Sequence, residues 1–145
     1  MADLTADLGR KIGRSTVQGL VNVKAALTLY QGMFLMQDIE GTVEEIDQST
    51  GQEFAGVALE GNAGNVPVAT GDVKIMIAED GITALTVVGA EAVETGVAVY
   101  ASDSNTFTVT STNNVKIGFL YRQLVAASTS WEVQFYASGL ARPTL

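Results

Sequence analysis

Carboxylates are the only side chains here from which ordinary acid–base chemistry near neutral pH can be built, because the 145 residues include no histidine and no cysteine. The tightest carboxylate pairs are Glu44 with Glu45 and Glu91 with Glu94. Two carboxyl groups that flank a glycosidic bond need a separation of about 5–10 Å inside a cleft. Neighbours on a strand point to opposite faces, so Glu44 and Glu45 diverge. Without histidine there is no Ser-His-Asp triad and no Cys-His dyad, and the usual zinc ligand sets are missing. Without cysteine there is no disulfide framework and no thiol nucleophile. The spacing Asp47-x-Ser49-x-Gly51-x-Glu53 superficially suggests a calcium loop, but it lacks a second acidic pair and reads better as a hairpin. Gly61-Asn-Ala-Gly-Asn65 has no following Lys-Ser/Thr and no helix to cradle a phosphate. The residue types therefore predict a protein that is not an enzyme, with no metal and no cofactor.

Charge separates the chain into two parts. The net charge is −8. Residues 1–24 hold four bases (Arg10, Lys11, Arg14, Lys24) against two acids, whereas residues 25–145 hold four bases against fourteen acids. An acidic body is a poor general nucleic-acid binder, since phosphate binding needs cations that displace counterions. No apolar run approaches the roughly 20 residues of a membrane-spanning helix, and the N-terminus lacks the pattern of a secretory signal. These features predict a soluble protein made in a cytoplasm, with neither nucleic acid nor membrane as partner.

The elements that must carry this charge are β-strands. Leu4, Leu8 and Ile12 make a weak helical stripe that Gly9 and Gly13 interrupt, and Ser15, Thr16, Gln18 and Gly19 read as linker. Residues 1–20 are thus expected to form an extended arm, disordered alone and ordered on a partner. From Val21 onwards, stretches rich in Val, Ile, Thr and aromatics alternate with Gly, Asn, Asp and Ser. The predicted strands are Leu27–Tyr30, Met33–Gln37, Thr42–Asp47, Phe54–Leu59, Val73–Ala78, Ile82–Val87, Ala98–Ala101, Phe107–Thr110, Lys116–Tyr121 and Trp131–Ala137. Predicted turns are Ser49-Thr50-Gly51, Glu79-Asp80-Gly81 and Asp103-Ser104-Asn105. The only internal helix foreseen is a single weak turn at Ala90–Glu94. Ten short strands in a body spanning residues 21–145 predict an all-β fold, a compact barrel or sandwich.

A faint repeat runs through the body. Gly32-Met-Phe-Leu-Met is followed 24 residues later by Phe54-Ala-Gly56-Val-Ala. Gly96-Val-Ala-Val-Tyr is followed 22 residues later by Ile117-Gly118-Phe-Leu, starting the count at Gly96 and ending at Gly118. Two related β-units, 27–86 and 87–137, are the organisation this suggests.

The second half also carries recognisable text. Val87-Val-Gly-Ala-Glu-Ala-Val-Glu-Thr-Gly96-Val-Ala-Val-Tyr100-Ala-Ser-Asp leads into Thr106-Phe-Thr-Val-Thr, then Ile117-Gly-Phe-Leu-Tyr-Arg122 and Trp131-Glu-Val-Gln-Phe. In this order the segments resemble the small capsid decoration (cement) proteins of tailed bacteriophages, over roughly residues 27–137. The resemblance implies a structural virion protein on the outer surface of an expanded head. It implies that the protein bridges major capsid subunits and is itself a homo-oligomer, a trimer. No catalytic residue is carried over. The basic arm departs from the shortest members, which begin almost directly at the first strand.

Two sets of residues are singled out on this basis. Arg10, Lys11, Ile12 and Arg14 are expected to touch the capsid or a neighbouring copy. Tyr100, Phe107, Phe119, Trp131 and Phe135 are expected to anchor the core or a subunit interface. The base-free acidic stretch of Asp38, Glu40, Glu44, Glu45, Asp47, Glu53 and Glu60 is expected to be a solvated face. A tail-tube or connector component, and a receptor- or carbohydrate-binding module, are the alternatives this text leaves open.

Overall fold

A computed structural model describes residue 4 and residues 6–38, 41–47 and 53–138. Among the described residues there are ten strands and no helix: β1 Gln18–Asn22, β2 Phe34–Gln37, β3 Val43–Glu45, β4 Glu53–Ala58, β5 Lys74–Ala78, β6 Asp80–Val88, β7 Ala98–Asp103, β8 Thr106–Thr108, β9 Val115–Gln123 and β10 Ser130–Tyr136. The fold is all-β. The first five strands form one sheet in the order β1-β5-β4-β2-β3, and the last five close into a barrel in the order β10-β6-β8-β7-β9.

Read around the barrel from β6, that second order is β6-β10-β9-β7-β8, the first sheet's order with five added to each strand. The registers agree as well. Leu35 faces Gly56 and Val99 faces Gly118, each beside a bulge. Met36 faces Glu44 as Tyr100 faces Thr108. A single parallel bridge joins Val23 to Val43, and its counterpart 64 residues later is the parallel pair Val87–Phe107 that closes the barrel. The two units therefore share one plan. The second closes fully because β6 has 9 residues where β1 has 5, so it reaches β8 with a ladder rather than one bridge.

Gly56 and Gly118 explain part of the shared register. A Cβ on Gly118 would lie 1.9 Å from the Gln134 carbonyl oxygen, and one on Gly56, at φ +145°, would lie 2.4 Å from that of Ala78. Only glycine lets the neighbouring strand approach this closely.

Two apolar clusters hold the units. Along β2, Phe34 and Met36 face one way and Met33 and Leu35 the other, the two-residue alternation of a strand. Leu35 joins Val23, Val43, Ala55, Ile75 and Ile77 inside the first unit, while Phe34 joins Phe54 and the barrel residues Leu85, Phe107, Val133 and Phe135. The central strands β2 and β4 of the first sheet are therefore buried on both faces, which accounts for their unbroken apolar runs. β6 and β10 instead alternate buried with exposed or half-buried residues, as barrel staves do. Phe34 is the hub: its ring lies 5.7 Å from Phe54, 4.7 Å from Phe107 and 5.6 Å from Phe135.

Four local expectations need correction. Leu27–Tyr30 is not a strand. The buried Asn62 side chain accepts from Leu29 N (2.6 Å) and donates to Leu27 O (3.0 Å), satisfying that backbone without a ladder. Gln18–Asn22, read in part as linker, is a strand because β5 offers it a full antiparallel partner. Glu79-Asp80-Gly81 is not a hairpin: β5 and β6 belong to different units, and Asp80 and Gly81 already lie within β6. Ala90–Glu94 holds a turn at Glu91 and Ala92 but no helix. The Ser49–Gly51 turn lies outside the described residues, but β3 and β4 on either side of it are not neighbours, since β2 runs between them. The Asp103–Asn105 turn does join a paired β7 and β8.

Candidate interaction surface

Residues 6–17 run as an extended strap over the body, in place of an arm free of it. Gly13 and Ile82 exchange two backbone hydrogen bonds of 2.8 Å, so the strap pairs with β6 ahead of the point where β8 takes over. Asp80 clamps the next turn of chain. Its carboxylate accepts from the backbone N–H of Thr16 (2.7 Å) and Val17 (2.9 Å) and from the Thr16 hydroxyl. Partial burial pushes this carboxyl up, but the hydrogen bonds from Thr16, Val17 and Ser15 prevail and hold it below the usual aspartate range. Gly81 makes room for the strap: a Cβ there would stand 2.6 Å from Ile12 Cγ2. A polar, glycine-rich segment is ordered here because the body supplies the partners that its own sequence lacks.

The four singled-out strap residues divide by role. Arg10 turns inward and joins the two units. Its Nε donates to Gly32 O at 2.6 Å and its Nη2 to Asn105 Oδ1, while its guanidinium lies 5.4 Å from the Phe34 ring centre and 5.6 Å from that of Phe107. Burial lowers its pKa to about 10, which leaves it charged at neutral pH. Nε and Nη2 are thus committed inside the chain, where Arg10 clasps the two units. Ile12 packs half-buried against the barrel core. Lys11 and Arg14 are exposed.

Lys11 and Arg14 share an open groove of about 330 Å³ with Gly13, Ile82, Thr83, Ala84, Tyr121, Arg122 and Glu132. Arg14 Nη1 donates to the Tyr121 hydroxyl at 3.0 Å, and both Arg14 and Arg122 lie against the Tyr121 ring, at 5.8 and 5.5 Å. Glu132 is the one acid among the lining residues, and it stands 3.7 Å from Arg122. Three bases thus converge on one patch of an acidic protein. The contributions of Tyr121 and Arg122 were not legible beforehand, because only the pairing of Gly13 with Ile82 brings the strap beside the end of β9.

The aromatic set is mostly interior. Phe107, Phe119, Trp131 and Phe135 are buried, Trp131 with its indole N–H donating to Ala90 O at 3.0 Å, whereas Tyr100 is half-buried. The acidic stretch is not uniformly solvated either. Glu44 is buried and its carboxylate pairs with Lys24 at 2.9 Å, a partner from outside the stretch. That hydrogen bond, reinforced by the charges of Glu44, Asp38 and Asp47, raises the Lys24 pKa. Among the described residues no three acidic side chains gather as a metal site, and no helix is long and apolar enough to cross a membrane.

No family model matches the chain, and no curated protein does. Among solved structures, a chain from "The capsid of Myoviridae Phage XM1" has a similar fold, with 19% identity, a TM-score of 0.53 and coverage of 94% of both chains.

Proposed function

We propose that this protein is a decoration-type structural component of a tailed-phage virion. It binds the outer surface of the expanded head and stabilises the shell by bridging major capsid subunits. The observation that carries this reading is the fold likeness to a chain of a phage capsid structure, which runs over 94% of both chains rather than over one motif. A chain without histidine or cysteine that carries an open groove lined by Lys11, Arg14 and Arg122 is consistent with docking rather than turnover.

The mechanism is mechanical. Copies assembled as a trimer each bury surface across several shell subunits, so loosening the shell requires many contacts to be lost together. Head expansion aligns those contacts, which makes binding a conformational gate. Lys11 and Arg14 supply outward charge from the strap, while Arg10 and Ile12 keep the strap seated. The protein is made in the host bacterial cytoplasm and resides on the virion surface.

The test is co-sedimentation of the purified protein with expanded and unexpanded heads. Binding to expanded heads alone, together with a raised threshold for heat disruption of those heads, is the expected result. Equal indifference to both head forms would end the proposal.

A further inference from the structure

We infer that the stretch of β6 between the strap and β8 is an open strand edge, and that it receives an extended acidic segment of a shell subunit as one added strand. The inference rests on the proposed virion role for the identity of the partner, but the edge is a property of this chain. At one end of the stretch, Ile82 exchanges its backbone hydrogen bonds with Gly13. At the other end, Val88 O accepts from Val109 N, beside the parallel pairs Val87–Phe107 and Val88–Thr108. Residues two apart on a strand turn their backbone groups to the same edge. The N–H and C=O of Ala84 therefore point with those of Ile82 and Val88, away from β10. Val87 confirms the alternation, since its N–H donates to Thr129 O on the β10 side. Among the described residues, no backbone group meets Ala84 on this edge: the strap touches β6 in one isolated bridge, and β8 joins it only from Val87.

From Ile82 to Val87 the strand rises about 17 Å, room for four or five residues of added strand. The outward side chains along it, Ala84 and Thr86, are small and exposed. Ala84 also lines two open grooves at once, the basic one of about 330 Å³ and a second of about 430 Å³ that includes Arg10, Thr86 and Asn105. A segment laid along the edge occupies both.

Charge selects the segment. Lys11, Arg14 and Arg122 line the first groove against the single acid Glu132. Arg14 is held by the neutral Tyr121 hydroxyl, a bond that leaves its charge uncancelled. Strand side chains alternate, so acids at every second position of an incoming segment reach these bases while its backbone pairs with Ala84. Planar guanidinium groups suit carboxylates in particular. The net charge of −8 does not forbid a short acidic segment, because distant acids are screened beyond about 8 Å at physiological salt. A long polyanion such as nucleic acid is a poorer fit, since it runs past the groove onto the acidic body.

The probe is a synthetic peptide of about eight residues, the length of an ordinary strand, alternating threonine with glutamate. It is added to the full chain without heads and followed by amide exchange and fluorescence anisotropy. In free protein the Ala84 amide should exchange readily while Leu85, paired with Trp131 of β10, stays protected. The peptide should slow exchange at Ala84. A peptide with lysine for glutamate should not bind. One with proline for threonine, which keeps the acids but loses those backbone donors, should bind about tenfold more weakly, and so should the parent peptide to Arg14→Ala with Arg122→Ala. Ala84→Pro removes the edge donor without touching the β10 ladder and should weaken capture equally. Circular dichroism checks its fold, and the proline peptide carries the same test if it does not fold. An Ala84 amide already protected in free protein, a proline peptide bound as tightly as its parent, or tighter binding of oligothymidylate would overturn the inference. Head binding is scored separately. Undiminished coating of expanded heads by Ala84→Pro overturns the shell segment as occupant and spares the virion role. Peptide capture by a protein that ignores heads removes that role, and with it the shell subunit as donor, while the strand edge stands.

Discussion

Replacing Arg10 by alanine should destabilise the whole protein, because this one side chain clasps both β-units. The guanidinium donates to Gly32 O in the first unit and to Asn105 in the second, and it lies against Phe34 and Phe107, again one from each. A hydrogen bond from a charged donor contributes about 1.5–3 kcal/mol net. Cation–π contact adds about 0.5–1 kcal/mol at a partly exposed site. Against these stands the cost of burying the charge, visible in the lowered pKa of about 10. The opposing contributions leave an expected loss of about 2–3 kcal/mol for Arg10→Ala. With a urea dependence of about 1–3 kcal/mol per molar, the unfolding midpoint should fall by about 1 M. Arg10→Met, which keeps an apolar stem under the rings, should recover a fraction of the loss. A double-mutant cycle with Asn105→Ala isolates the clasp, and a coupling of about 1 kcal/mol is expected. A loss below about 0.5 kcal/mol with no coupling to Asn105 would refute the clasp and return the strap to the status of a loosely held arm.

Two other predictions use the same unfolding assay. Gly118→Ala drives a Cβ to 1.9 Å from a backbone oxygen and should cost at least about 3 kcal/mol or abolish folding, whereas Gly9→Ala, with nothing within 4 Å, should stay within about 0.5 kcal/mol. The strap should also be sensitive to acid. The Asp80 pKa is lowered in the folded state, so its contribution is complete above the unfolded value of about 3.9 and is lost as pH falls through the folded value. Amide exchange at Thr16 and Val17, corrected for the intrinsic pH dependence of exchange, should lose protection below about pH 4 in the native protein and already at pH 7 in Asp80→Asn. Unchanged protection in both cases would remove Asp80 from the strap's support.

Much of the fold was legible because short-range chemistry declares it. Stretches rich in Val, Ile, Thr and aromatics between turn-forming residues marked nine of the ten strands within a few positions, since such side chains suit a pleated, packed surface whatever it packs against. β1 escaped notice because Gln18, Gly19 and Asn22 have no strand character of their own and gain it from β5. Leu27–Tyr30 failed in the opposite sense: it has the composition of a strand, but Asn62 reaches its backbone first. The faint Gly-strand repeat was visible in sequence, while the shared register and the parallel bridges at Val23 and Val87 emerge only when distant strands meet.

Sequence by itself determined an acidic, all-β chain with no histidine or cysteine chemistry and with its bases concentrated near the start. These are properties of residue type and local period, so they hold before any chain folding. Tertiary structure alone decided which bases face outward. Arg10 and Arg14 are four residues apart and chemically identical, yet one is drawn between Phe34 and Phe107 while the other lies against Tyr121 at the surface. The physical reason is that exposure and charge depend on what the fold places alongside a side chain, and those neighbours lie tens of residues away along the chain.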